Sequence, residues 1–277
     1  METSQGWHRA SPFSWAAPRT LVMGIVNVTD DSFSDGGRFR DPARAIARGL
    51  AMREEGADLV DVGGESTRPG AVPVPAAEEL ARVMPVIEAL AREGLAVSVD
   101  TSKPEVMREA IAAGCAVVND VNGFRAPGAL EATAGADVGV VAMHMLGTPR
   151  TMQASPAYGD VVAEVGAFLR ERAAALEAAG VARARIAVDP GFGFGKSPAH
   201  NVALFRAIPA LAAMGYALLV GVSRKRMIGE ITGREVADRA AGSVAAALLA
   251  AQNGAGIVRV HDVRETVDSL RMLRALG

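Results

Sequence analysis

Cysteine is nearly absent from this chain of 277 residues: Cys115 stands alone, which excludes a disulfide framework within the chain and fits a reducing cytoplasm. Long apolar runs are missing too, and none approaches the roughly 20 residues that span a bilayer. Met1 to Trp15 mixes polar, charged and aromatic side chains without the apolar core of a signal peptide. Net charge is almost nil, at −2, which argues against a nucleic-acid or membrane surface while leaving room for a small anion pocket. Interior domain boundaries and low-complexity tracts are also lacking. With 50% apolar residues, the chain suffices for one large domain, soluble and cytoplasmic by expectation.

What is present is one recurring unit: a short apolar strand, a polar turn, then an alanine-rich helical stretch. Residues 1–18 read as a loosely ordered tail ending at Pro18, and the unit fills residues 19–277. Strand candidates are 21–28, 59–62, 96–99, 116–118, 138–143, 186–188, 217–220 and 257–260. Helical patterns lie near 42–55, 77–93, 104–113, 128–134, 160–179, 200–213, 234–253 and 263–275. Gly56, Gly94, Gly114, Gly180 and Gly215 each follow such a stretch, where a left-handed C-cap belongs. Continuous apolar strands alternating with helices imply a parallel sheet buried on both faces. Eight units match a closed (β/α)8 TIM barrel with long loops after strands 1 and 2, and a doubly wound open sheet is the competitor.

The barrel reading predicts that polar residues at the C-terminal strand ends converge. In order they are Asn27, Asp61 with Glu65 to Arg68, Asp100, Asn119 with Asp120, His144, Asp189, Ser223 to Lys225, and Arg259 with His261. Each alone reads equally as a cap for the next helix. After Asp100, Ser102 is available to cap before Pro104, which frees the acid. All eight tips being polar is harder to ascribe to capping. Arg68, Arg259 and His261 suit a phosphate or carboxylate, whereas Asp100, Asn119 and Asp189 suit a ligand rich in N–H groups. Lys225 is either charge-compensated by these acids or a Schiff-base lysine. Phe33, Phe194 and Met143 serve as apolar walls or as local packing. The residues describe a pocket for a planar heterocycle at one end and an anion at the other.

The stretch Ile186 to Lys196 invites a phosphate-loop reading, because Gly195-Lys196-Ser197 closes like a Walker motif. Pro190 stands where that motif needs its first glycine, and Pro198 argues against a helix starting at once. A dinucleotide fingerprint fails because Lys196 occupies the third glycine position. An acid at a strand tip followed by a close-approach loop is what remains. Cys115, beside an apolar run, reads as core.

Taken together, Met23 to Gly37, Asp61 to Gly70, Val99-Asp100-Thr101, Asn119-Asp120, Met143-His144-Met145, Asp189 to Lys196, Ser223-Arg224-Lys225 and Arg259-Val260-His261 resemble the dihydropteroate synthase family, from about residue 20 to the C-terminus. The resemblance implies a barrel, a homodimer, and an enzyme of folate synthesis. That enzyme condenses p-aminobenzoate with a dihydropterin methyl diphosphate, releases pyrophosphate, and is the target of sulfonamides. Asp100, Asn119, Asp189 and Lys225 then match the pterin-holding positions, a role compatible with a carboxylate accepting from ring and exocyclic N–H groups. Asn27 matches the Mg2+-linked position, and Arg259 with His261 match the diphosphate contacts. Thr67, Arg68, Pro69 and Phe33 match residues closing over p-aminobenzoate, with Phe194 and Ser223 completing that end. Met143 and Gly221 fall among the substrate contacts.

One departure is Asp30, where the family usually carries proline; it loosens a loop that proline stiffens and adds an acid beside Asp31. The expected chemistry is a Mg2+-assisted, SN1-like substitution, with Asp100 beside the developing cation and His261 with Arg259 neutralising the leaving diphosphate. Two rivals differ in class. A pterin-binding methyltransferase of related fold, passing a methyl group to a corrinoid, shares the acids but has no need of Ser32 to Gly37 or of Arg259 and His261. A catalytically silent, ligand-binding paralogue is the other.

Overall fold

The computed structural model describes residues 13–29 and 41–277. Eight parallel strands close on themselves in chain order: β1 (Leu21–Asn27), β2 (Leu59–Gly63), β3 (Val97–Asp100), β4 (Val117–Asp120), β5 (Gly139–Met143), β6 (Ile186–Asp189), β7 (Ala217–Val220) and β8 (Ile257–Val260). β8 pairs back onto β1, with Leu21 opposite Ile257 and Gly24 opposite Val260. The closed barrel, not the open sheet, is the outcome. Helices α1 (Pro42–Glu54), α2 (Ala76–Arg92), α3 (Pro104–Ala112), α4 (Ala129–Ala134) and α5 (Val161–Ala178) cover its first half. α6 (Pro198–Arg206), α7 (Ile208–Ala212), α8 (Arg226–Thr232), α9 (Ala240–Gln252) and α10 (Val263–Leu276) cover the rest. The five helix-ending glycines all take positive φ, between 76° and 100°, as a left-handed C-cap requires.

Three local expectations are corrected. Pro198 does not delay a helix: it opens α6 at the first helical position, where its missing N–H is no loss, and the Ser197 hydroxyl accepts from His200 N at 3.2 Å. The helix expected over 200–213 is two, because Pro209 supplies no N–H and α7 must start afresh at Ile208. The helix expected from 234 begins at Ala240, while α8, unpredicted because its seven residues carry glycine and β-branched side chains, ends on Gly233 at φ 68°.

Strand side chains alternate between two faces, and in a barrel one face is the interior. Leu21, Met23, Leu59, Ala96, Val117, Val141, Ala187, Leu219 and Ile257 form one buried apolar cluster inside the lower barrel. Their neighbours one position along, among them Val22, Val60, Val97, Val118, Val140, Val188, Val220 and Val258, join the larger cluster beneath the helices. Counting two residues onward from the inner set reaches Asp61, Asn119, Asp189 and Arg259, and from Ala96 four onward reaches Asp100. The interior thus changes from apolar to polar toward the C-terminal ends of the strands.

Phe13 and Trp15 belong to the inner cluster, so the expected loose tail is corrected for residues 13–18. Their rings meet edge to face at 5.1 Å. Trp15 Nε1 donates to Arg185 O at 2.8 Å, and Phe13 N donates to Asp137 Oδ1 at 2.7 Å. Gly139 makes this possible, since any β-carbon there would collide with the Phe13 ring. Arg19 follows with a two-pronged ion pair to buried Asp58, at 2.7 and 2.5 Å.

Candidate active site

The polar upper layer is tied together by Arg259 on β8. Its Nε donates to Asp61 Oδ2 at 2.6 Å and its Nη2 to Asp100 Oδ2 at 3.0 Å, so one guanidinium serves two acids of β2 and β3. Asn119 Nδ2 donates to the same Asp61 Oδ2 at 3.0 Å. Asp61 Oδ1 is buried without a protein partner. Asp189, ending β6, accepts from Gly191 N at 2.7 Å. Lys225 Nζ donates to Phe192 O at 2.5 Å and stands 4.8 Å from the centre of the Phe194 ring, within the influence of the Asp189 and Asp100 charges. A β-carbon on Gly221 would lie 3.8 Å from both Lys225 Nζ and Arg259 Cβ; glycine leaves that space open.

The charge balance follows from burial. One arginine faces two carboxylates, so Asp100 holds its proton unusually well. Burial, and then the Asp61 charge, push it up to about 8 against the pull of Arg259. Burial raises Asp189, opposed by Lys225, and lowers Lys225 to about 8, opposed by Asp189. Burial would also lower Arg259, but Asp61 and Asp100 outweigh it and raise it instead. His261 is brought down to about 3 by burial and by Arg259, so in the ligand-free protein it is a neutral hydrogen-bonding group, not the cation expected beside a diphosphate. Ser223 Oγ accepts from His261 N at 3.2 Å and lies 3.0 Å from Nδ1.

Strand parity also removes residues. Asp120 points outward, and its two oxygens accept from Asn122 N and Phe124 N, both at 2.7 Å, holding the left-handed Phe124. His144 turns outward as well, edge-on to Phe168 at 4.9 Å, with Lys196 Nζ 2.9 Å from its Nδ1. Ser102 does not cap α3: the cap position is Lys103, and Thr101 Oγ1 accepts its N–H at 3.2 Å. Asp100 is free for Arg259 all the same.

Met143 and Phe194 do share an apolar wall, with Val121, Met145 and Met152, which the sequence reading did not assign. Asp61 had been noted as a strand tip without a role, yet it anchors both Arg259 and Asn119. The signal was its parity with Leu59.

Thr67, Arg68 and Pro69 lie on the β2–α2 loop. Arg68 and Pro69 line a cavity of about 480 Å3 with Thr29, Ser66 and Arg82. Gly70 N donates to Pro149 O at 3.1 Å, and Glu65 Oε2 accepts from Val74 N at 2.9 Å. Lys103 Nζ ties Glu65, at 2.5 Å, to fully buried Glu79 on α2. Phe33 and Asp30 lie outside the described residues.

Asn27 ends β1 close to Asp100: a β-carbon on Gly63 would lie 3.7 Å from Asn27 Oδ1 and 3.5 Å from Asp100 Cβ. Among the described residues no group of three or more His, Cys, Asp or Glu side chains is placed to hold a metal. A single amide oxygen beside an anion end suits Mg2+, which keeps waters and takes ligands from substrate phosphates; it does not suit a metal held by the protein alone.

A sequence profile of the family described as pterin binding enzyme matches residues 23–261. The dihydropteroate synthase of Neisseria meningitidis serogroup C is 50% identical over 274 residues, covering 97% of this chain and 97% of that protein. Among solved structures, the dihydropteroate synthase of Xanthomonas albilineans with 4-aminobenzoic acid matches at a TM-score of 0.87 and 57% identity, over 94% of this chain and 93% of that one. The same organism's enzyme in complex with 7,8-dihydropteroate gives a TM-score of 0.85 at 55% identity, over 94% of each chain.

Proposed function

This chain belongs to the dihydropteroate synthase family of pterin-binding enzymes, and we propose that it joins p-aminobenzoate to (7,8-dihydropterin-6-yl)methyl diphosphate, giving 7,8-dihydropteroate and pyrophosphate. The observation that carries the reading is the cluster in which Arg259 bridges Asp61 and Asp100 beside Asn119, Asp189 and Lys225. Carboxylates and an amide there match the N–H groups of a pterin edge, and Lys225 matches ring acceptors. The relatives bound to 4-aminobenzoic acid and to 7,8-dihydropteroate support the same substrates.

Arg259 and His261 meet the diphosphate, the first as charge and the second as a hydrogen-bonding ring. Asn27 would hold Mg2+ together with the diphosphate, and that ion would offset the charge of the leaving group. The methylene carbon–oxygen bond breaks first, and its electron pair leaves with pyrophosphate. Asp100 then faces a cationic pterin methylene, which favours its ionised form over the protonated one. The aniline nitrogen of p-aminobenzoate attacks that carbon and loses its proton afterwards, so no strong base is needed. Met143 and Phe194 shield the reacting end from water, while Thr67, Arg68, Pro69, Phe33 and Ser223 form the p-aminobenzoate side.

Pyrophosphate release on mixing the pterin diphosphate, p-aminobenzoate and Mg2+ tests the activity; no release, with ligand still bound, would leave only a binding protein. Positional isotope scrambling within recovered diphosphate substrate is the expected sign of early bond cleavage. Its absence, with a rate strictly dependent on the amine, would favour concerted displacement. We further propose a cytoplasmic homodimer. Exposed Ile231, Val236 and Leu249 on neighbouring α8, α9 and the turn between them support a contact surface, and sedimentation at the monomer mass would refute it.

A further inference from the structure

Lys196 has no part in the reaction just proposed, yet it is 3% exposed and its Nζ has several close partners. It lies 2.9 Å from His144 Nδ1 and donates to Gly191 O at 2.9 Å and Phe194 O at 3.0 Å. Burial, and then the neighbouring Lys196, lower the His144 pKa to about 3. The segment these bonds gather, Gly191 to Gly195, belongs to no strand or helix, and its backbone has to be satisfied from outside. Side chains and one turn supply its hydrogen bonds. Lys196 takes the carbonyls of Gly191 and Phe194, Lys225 takes that of Phe192, Gln153 that of Gly193 at 2.5 Å, and Tyr158 that of Gly195 at 2.8 Å. Asn201 Oδ1 accepts from Gly193 N at 2.8 Å.

Two lysines therefore grip one loop through different carbonyls. The loop's Phe192 carbonyl and Phe194 ring are the contacts that hold Lys225 Nζ at the pocket. Gly191, at φ 67°, approaches so closely that a β-carbon would overlap the His144 carbonyl, so this loop packs directly on the chain that follows β5. We propose that Lys196, with His144, is a positioning residue of the reaction: it sets the Gly191–Gly195 loop so that Phe192 and Phe194 place the Lys225 ammonium for the pterin. The proposal rests on the reading of Lys225 as a pterin donor.

A double-mutant cycle on the full chain separates this role from mere stability. Pterin affinity, measured calorimetrically with a bare pterin on folded protein well below its melting point, is expected to fall at least about tenfold in Lys196→Met, the scale of a small misplacement. It is expected to fall similarly in Lys225→Met. In the double variant the loss should exceed that of Lys225→Met by no more than about twofold, because the first residue acts through the second. Affinity for inorganic pyrophosphate should be unchanged in Lys196→Met. Additive losses, or a parallel loss of pyrophosphate binding, would overturn the proposal. Unchanged pterin affinity in Lys225→Met would instead overturn the reading of Lys225, and the proposal with it. If Lys196→Met does not fold, His144→Leu, which removes one partner and keeps the lysine, takes its place in the cycle with the same expected outcomes.

Discussion

Asp61, Asp100 and Arg259 illustrate how a single residue's identity matters less than the parity of its position. Asp120 follows Asn119 directly and is an aspartate too, yet its side chain faces the helices and spends both oxygens on its own turn. The sequence shows both acids plainly, and the alternation that sorts them is visible too once Leu59, Val117 and Ile257 are taken as inward. What the sequence does not show is the guanidinium shared between two carboxylates, because that depends on β8 lying beside β1. The same cluster sets a pH expectation. Lys225 is charged below its value of about 8 and loses its proton above it. The advantage of the wild-type protein over Lys225→Met in pterin affinity should therefore be largest below about pH 8 and shrink as pH rises through it. Titration calorimetry across that range checks this, and a pH-independent difference would argue that Lys225 contributes shape and not charge.

Elements carry the pocket's edges. The β2–α2 loop was legible as long and glycine-marked, and its anchoring was not, because Glu65, Lys103 and Glu79 are separated in sequence and meet only when α2 and α3 pack. Glu79 is fully buried and keeps one oxygen, Oε1, without a partner, so Lys103 offsets a charge that water does not reach. Lys103→Met should raise the KM for p-aminobenzoate far more than that for the pterin diphosphate, since Thr67 to Pro69 sit on the loop it holds. It should also lower stability by about 3–5 kcal/mol, the usual result of leaving a buried charge unpaired. Steady-state kinetics with each substrate varied, and a urea titration, are the measurements. The β6–α6 segment teaches the opposite lesson. Its glycines and proline looked like a broken phosphate site, and Pro198 like a barrier to a helix, because a proline's effect depends on whether it falls at the first turn or beyond it.

At the scale of the whole molecule, the eight-fold count and its order were readable because each strand is a short apolar run and most helices end on glycine. The plug beneath the barrel was not, since Phe13 and Trp15 sit in a polar stretch with no periodicity. Trp15→Ala should destabilise the fold by about 3–5 kcal/mol, the cost of emptying a large aromatic site in a core. Turnover by the folded fraction should be nearly unchanged, because the plug lies at the end of the barrel away from Asp100. Denaturant midpoints compared with kcat settle the point, and a turnover loss exceeding the loss of folded protein would show that the lower barrel communicates with its mouth. The pairing of β8 with β1 has a further meaning. The seam that closes the barrel is also the strand that brings Arg259 to Asp61 and Asp100, so closure and assembly of the acid–arginine cluster are one event. The two ends of the barrel's sequence have to be drawn together before the cluster exists, and an anion held at Arg259 would add its binding energy to keeping that seam closed. Anion binding should therefore slow amide exchange in the first and last strands, so that the pocket reports on a join between the two ends of the barrel's sequence.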